Sequence, residues 1–154
     1  LLLIALSGGY PKERLEIADR LVSSGKGPLA AYAQATPSAD YPSRRVEILQ
    51  AFLDGPTDAA AERSAVEGVI VAHCLSELEA AEIRRRGGFV WHLYSRPSSV
   101  VSIRRGDLMV TDGQKGFAHV REPMEALSEA LLAYLARSGS VRAMLEDLAD
   151  GPAR

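Results

Sequence analysis

Hydrophobic and polar positions divide the chain into short unbroken apolar runs and longer amphipathic stretches, and the two kinds alternate. Residues 1–6 are apolar throughout, as suits a strand buried on both faces. Ser7-Gly8-Gly9 makes a turn, and Pro11 stands where a first helical residue is favoured. Leu15, Ala18, Leu21 and Val22 then share one helical face, with Lys12, Glu13, Arg14, Glu16 and Arg20 mostly elsewhere and Gly25 as the stop. Residues 26–43 are rich in Gly, Pro, Ser and small side chains and read as a connector with one short helix. Val46, Leu49, Phe52 and Leu53 form the stripe of a helix over 44–53, with Ser43 as its cap and Gly55-Pro56 as its end. Thr57 opens a second, alanine-rich helical stretch to residue 66.

Residues 68–73 are apolar, β-branched and without alternation, which predicts a central strand. Ser76 and Glu79 have the spacing of a capping box, and the helix they open runs through Ile83 to Arg86 before Gly87-Gly88. Residues 89–94 read as a third strand. Strands separated by helices at this spacing predict right-handed βαβ crossovers and a mainly parallel sheet. Residues 100–103 and 108–111, separated by Arg104-Arg105-Gly106-Asp107, predict a β-hairpin after the third strand. Pro123 opens a long helix with Leu127, Ala130, Leu131, Tyr134 and Leu135 on one side. After Ser138-Gly139-Ser140, Val141, Met144, Leu145 and Leu148 mark a second, shorter one. The expected fold is α/β: one domain over 1–154, three layers, with C-terminal helices whose stripes either close the core or make a homodimer or partner surface.

Composition narrows the function classes. The 18 basic and 20 acidic residues leave a net charge of −2, so no basic field points to nucleic acid or to an anionic membrane. A single cysteine, Cys74, excludes an internal disulfide and a thiolate-built metal centre, and a reducing cytoplasm is the simpler expectation. The apolar start is far short of the roughly 20 residues that span a bilayer. It also lacks the basic flank of a signal peptide.

A strand, a glycine turn and a helix aim backbone N–H groups and a helix N-terminus at phosphate. Three segments carry a resemblance built on that geometry. LIALSGG is followed by a helix, VIVAHCLSELEAAEIRRRGGFVWHLYSRP joins a strand, a glutamate-bearing helix, Gly-Gly, a strand and Arg-Pro, and Arg44-Arg45 precede Leu49-Gln50 and Gly55. Over most of residues 1–97 the chain resembles the P-loop nucleoside monophosphate kinases, and among them the bacteriophage-type deoxynucleoside monophosphate kinases. The resemblance implies a P-loop-kinase-like fold, with ATP and Mg²⁺ as cofactors and a (d)NMP as acceptor. It further implies phosphate contacts at Ser7, Gly8, Gly9, Lys12 and Arg14, and acceptor contacts at Arg44, Arg45, Gln50 and Glu79.

The phosphate motif itself departs from the pattern. G-x-x-x-x-G-K-[ST] supplies two glycines that wrap the phosphates, a lysine for the β and γ groups and a hydroxyl for Mg²⁺. Counted from Gly8, those last three positions are Glu13, Arg14 and Leu15. Leucine holds no metal, and Glu13, at the third helical position after Pro11, brings a carboxylate to the orphan N–H groups. His73 replaces the strand-end aspartate, and Leu75 and Ser76 replace Arg-Phe. Two readings follow. One is a kinase-like protein that has lost phosphoryl transfer and acts as a binding or assembly module, taking a nucleotide or other anion weakly. The other is an active divergent kinase, with Lys12 or Arg14 for the lysine and Arg44, Arg45 or Arg96 neutralising the transferred charge. What separates them is whether residues 7–13 form an open nest or are filled by Glu13 and Tyr10.

Other candidates are weaker. Ser7-Gly8-Gly9 also begins the S-G-G-x-D-S loop of ATP pyrophosphatases, but Pro11 and Lys12 stand at its Asp and Ser. Arg105-Gly106-Asp107 reads as a turn. Arg84-Arg85-Arg86 suits a solvated, dipole-favoured helix end as well as a phosphate or acidic partner. Arg96, Arg104 and Arg105 occupy the place of a phosphate-clamping lid. His119 and Glu122 have H-x-x-E spacing without further metal ligands nearby, His73 and His92 lie on strands, and Cys74 reads as buried and inert.

Overall fold

A computed structural model describes residues 1–35, 42–55, 66–111 and 119–137. In chain order the elements are β1 (Leu2–Ser7), α1 (Pro11–Val22), β2 (Leu29–Tyr32), α2 (Pro42–Asp54), β3 (Gly68–Val71), α3 (Glu77–Arg85), β4 (Phe89–Leu93), β5 (Leu108–Val110), β6 (Val120–Arg121) and α4 (Pro123–Arg137). The strands form one sheet in the order β2-β3-β1-β4-β5-β6, parallel at every pairing.

The central place of β1 follows from its sequence, because all six residues are apolar or small and all are buried. It pairs with β3 from Leu2↔Gly68 to Ala5↔Val71 and with β4 from Ile4↔Phe89 to Ser7↔His92. The period of two divides its side chains between two cores. Leu2, Ile4 and Leu6 pack with Ile17, Leu21, Trp91 and Leu127, which brings α1 and α4 to one face. Leu3 and Ala5 pack with Leu49, Val71, Ile83 and Val90, which brings α2 and α3 to the other. The result is the expected three-layer α/β arrangement. Among the described residues, no helix is long and apolar enough to cross a membrane.

Two expectations are corrected. Residues 29–32, read as connector with a short helix, are the edge strand β2, in register with β3 from Leu29↔Gly68 to Tyr32↔Val71. Alanine's helical preference yields there to an available sheet edge, a tertiary override of a weak local signal. The β-hairpin is absent: β5 runs parallel to β4, with Trp91↔Leu108 through Leu93↔Val110, and residues 100–103 form no strand. Parallel neighbours need a crossover of a dozen or so residues, and residues 94–107 supply it without a helix. Val101 alone of that apolar run is buried, in the α2/α3 core, while Val100 and Ile103 are exposed.

Smaller differences lie at element ends. α2 starts at Pro42, so Ser43 lies inside it rather than at its cap. β3 ends at Val71, which places His73 in the turn beyond the strand. The helices expected over 57–66 and 141–148 fall outside the described residues, apart from residue 66.

Candidate functional site

In a parallel α/β sheet the crevice beyond the carboxyl ends of the strands is the usual ligand position. Here β1, β3 and β4 deliver the Gly8-Gly9 turn, His73-Cys74 and the start of the 94–107 crossover to that edge. Gly8 and Gly9 both have left-handed backbones, φ 81° and 62°, so the turn has the curl that could present N–H groups to an anion.

Two N–H groups at the turn are already in use. Gly9 N–H donates to the Arg96 carbonyl at 2.7 Å, and Tyr10 N–H donates to Glu13 Oε1 at 2.9 Å. Glu13 Oε2 accepts from Ser95 Oγ at 3.2 Å, tying the same carboxylate to the crossover. Tyr10 does not fill the nest. Its ring is exposed beneath the Arg96 guanidinium, 5.1 Å from the ring centroid, and its hydroxyl accepts from Arg96 Nη1 at 2.7 Å.

Arg14, at the motif's lysine position, is 4% exposed and turned back on the turn. Nη1 donates to the carbonyls of Gly8 at 2.7 Å and Gly9 at 3.1 Å, and Nε donates to the Ala72 carbonyl and to His73 Nδ1, both at 3.1 Å. Its four acceptors are neutral, and burial lowers its pKa. His73 is depressed too, first by burial and then by the Arg14 and Arg45 charges. Accepting at Nδ1 places the ring proton of neutral His73 on Nε2. Burial pushes the Cys74 thiol up to about 12, so it is no thiolate nucleophile, in line with the inert reading. A cavity of about 350 Å³ opens here, lined by Gly8, Gly9, Arg14, Cys74, Arg96 and Ser98 among others.

The residues expected at the acceptor site are brought together only in part. Arg45 and Glu79, 0% and 1% exposed, face each other, with Nε donating to Oε1 at 2.7 Å and Nη2 to Oε2 at 3.2 Å. Arg45 Nη2 also donates to the His73 carbonyl at 3.1 Å. Ser76 caps α3 as expected, its Oγ accepting from Glu79 N–H at 3.2 Å while donating to Glu79 Oε1 at 2.9 Å. Gln50 instead donates to Glu82 Oε2 at 3.2 Å, and Arg44 is exposed. In the phosphate set, Gly8, Gly9 and Arg14 share the cavity with Arg96, whereas Ser7 is buried and Lys12, 88% exposed at its side chain, stands 3.9 Å from Glu16.

The arginines at the end of α3 are structural. Arg85 and Arg86 pair with Glu82, and Arg86 also reaches Asp54 at 2.9 Å. Arg84 Nη2 donates to Asp107 Oδ2 at 2.6 Å, where His92 Nε2 lies at 2.7 Å and Arg104 N–H donates at 2.9 Å. This Arg84–Asp107–His92 cluster pins the far end of the crossover, and sequence reasoning missed it. Only Asp107's bond to the nearby Arg104 N–H has a local turn signature. Ser7 Oγ and His92 Nδ1, on register-paired residues, are both buried and have no hydrogen-bond partner among the described residues. Arg104 lies 3.7 Å from Glu77 rather than at the cavity, so the three-arginine lid does not assemble. His119 sits edge-on to Tyr94, Glu122 pairs with Arg20, and no group of three potential metal ligands occurs among the described residues.

These charges set a pH dependence. A depressed His73 contributes stability in full above its ordinary 6.5, and that contribution declines as pH falls toward its lower folded value. Glu82 is held down to about 2, chiefly by the Arg85 hydrogen bond with help from Arg86 and Gln50 against burial, so its contribution is full above its ordinary 4.5 and lost on the way to about 2. At Asp107 burial opposes ionisation, but Arg84, His92 and the Arg104 N–H outweigh it and keep the carboxyl below its usual range. Thermal melts across pH should therefore show two falling stages on acidification, the first below neutrality and the second below about pH 4.5. His73→Asn should remove the first and leave the second.

Compared with protein-family models, with curated proteins and with solved structures, the chain shows no match.

Proposed function

We propose that the chain is a P-loop-kinase-like protein that has lost phosphoryl transfer and serves as a binding or assembly module. One observation carries this reading: the donors that would cradle a phosphate at Gly9 and Tyr10 are satisfied by the chain's own Arg96 carbonyl and Glu13 carboxylate. Three further features agree with it. Arg14 is committed to the carbonyls of the same turn rather than extended over it. Leu15, at the metal-hydroxyl position, is 44% exposed and offers no ligand. Arg45 and Glu79 neutralise each other where a monophosphate would need them free.

An active divergent kinase would have to release Glu13 and Arg14 together before an ATP phosphate could enter the turn. Incubation with Mg-ATP and each of the four dNMPs, followed by product detection, is expected to give no turnover. Calorimetry with Mg-ATP is expected to show no micromolar binding. Turnover that disappears in Arg14→Ala would overturn the proposal.

A further inference from the structure

We propose that the outer edge of β2 and the groove beside it are an interface for a second copy of this chain, with β2 pairing antiparallel to its counterpart across a two-fold axis. The inference goes beyond the loss of phosphoryl transfer and does not depend on it.

The first support is the edge itself. The sheet ends at β2 on one side and at β6 on the other. β6 is two residues long and includes Arg121, so shortness and charge both blunt it. β2 has four residues, Leu29-Ala30-Ala31-Tyr32, with neither a charge nor a proline among them. The Tyr32 carbonyl accepts from Ala72 N–H at 2.8 Å, on the β3 side. Backbone direction alternates along a strand, so the N–H and C=O of Ala31 point outward, where no strand pairs with β2 among the described residues. An uncharged row of such groups is a template for another strand.

The second support is the groove next to that edge. A space of about 400 Å³ lies between α1 and β2, lined by Lys12, Leu15, Glu16, Ala18, Asp19 and Ala31. Leu15 is 44% exposed there, although Ile17, Ala18 and Leu21 of the same helix are buried in the core. Ala18 and Ala31 are small, so an apolar side chain from outside can enter and cover Leu15.

Charge selects the occupant. Lys12, Leu15, Glu16 and Asp19 are spaced i, i+3, i+4 and i+7 and share one helical face. The cation lies at the N-terminal end of that stripe, the leucine in the middle and the two carboxylates toward the C-terminal end. Antiparallel pairing of β2 also sets α1 antiparallel to its counterpart. Leu15 then meets Leu15 across the axis, and Lys12 meets Glu16 and Asp19 of the other copy. A two-fold contact is isologous and requires self-complementarity of this kind. Within one copy Lys12 reaches Glu16 only at 3.9 Å, and Asp19 forms no ion pair among the described residues. An unrelated extended peptide would pair with the edge but leave Leu15 and the stripe's charges unmatched.

The test is sedimentation equilibrium of the full chain from micromolar to near-millimolar concentration, with amide exchange read at the same concentrations. A reversible dimer is expected, with Ala31 N–H exchanging more slowly as the dimer fills. Leu15→Glu, at an exposed position, places two carboxylates at the axis and should weaken the dimer about tenfold or more. Lys12→Glu should weaken it too, and adding Glu16→Lys should restore it by re-creating opposite charges across the axis. The rescue separates a lost interface from a lost fold. A monomer at every concentration, a dimer equally strong in Leu15→Glu, as one formed through α4 would be, Ala31 exchange independent of concentration, or no rescue by Glu16→Lys would each overturn the proposal. All four leave the loss of phosphoryl transfer intact, and turnover with Mg-ATP would overturn the latter alone.

Discussion

Glu79→Ala is expected to destabilise the protein by about 3–5 kcal/mol, enough to unfold much of it at ambient temperature. Arg45 is 0% exposed, and its guanidinium meets the Glu79 carboxylate through two hydrogen bonds. Removing the carboxylate leaves a desolvated charge and also frees the Ser76 hydroxyl that donates to Oε1. Urea unfolding should record the loss as a lower midpoint. Glu79→Gln, which keeps the shape and one acceptor but not the charge, should fall between wild type and Glu79→Ala. Replacing both partners by apolar residues, Arg45→Met with Glu79→Leu, should recover most of the loss, because a buried ion pair is worth little more than good packing. If Glu79→Ala unfolds at the wild-type midpoint, the pair is not the clamp between α2 and α3 that its geometry describes.

The same pair shows where the sequence was legible. The central strands were readable because β1, β3 and β4 are short runs that are apolar but for Ser7, Gly68 and His92, a signal that survives without tertiary knowledge. The Ser76 cap and the Glu13 contact were readable because both bond within three residues of chain. The partners of Arg45, Asp107 and Arg96 were not, since they are 34, 15 to 23 and 86 residues away and no local pattern marks them. β2 escaped because its two central alanines carry no strand signal and gain their strand character from the β3 edge, and the false hairpin arose because Val100 and Ile103 are apolar yet exposed. The resemblance supplied a list of phosphate and acceptor residues. In the fold, Arg45 and Glu79 bond to each other and Arg14 bonds to the carbonyls of Gly8 and Gly9, and neither residue type nor spacing announces that.

Gly8→Ala is expected to cost about 3 kcal/mol or more, because two penalties fall on one atom. The residue has φ 81°, where a side chain is disfavoured by about 1–2 kcal/mol. A Cβ there would also stand 2.6 Å from the Arg96 carbonyl oxygen, 3.0 Å from Ser98 N and 3.2 Å from Pro97 Cα. All three are backbone atoms, so no rotamer change relieves the clash. The crossover must lift, and with it go the Gly9 N–H to Arg96 carbonyl bond and the Ser95 bond to Glu13. Hydrogen exchange should therefore show lost protection at Gly9, Val100 and Val101, whose N–H groups bond to Arg96 and Ser98. Gly9→Ala makes a useful contrast, since its Cβ meets the Leu93 side chain, which can adjust, rather than a fixed backbone. If Gly8→Ala leaves exchange in 94–101 unchanged, the crossover does not rest on the turn. A glycine at the head of a phosphate loop lets a phosphate approach the backbone; Gly8 meets the same steric demand, but the approaching group is the chain's own backbone.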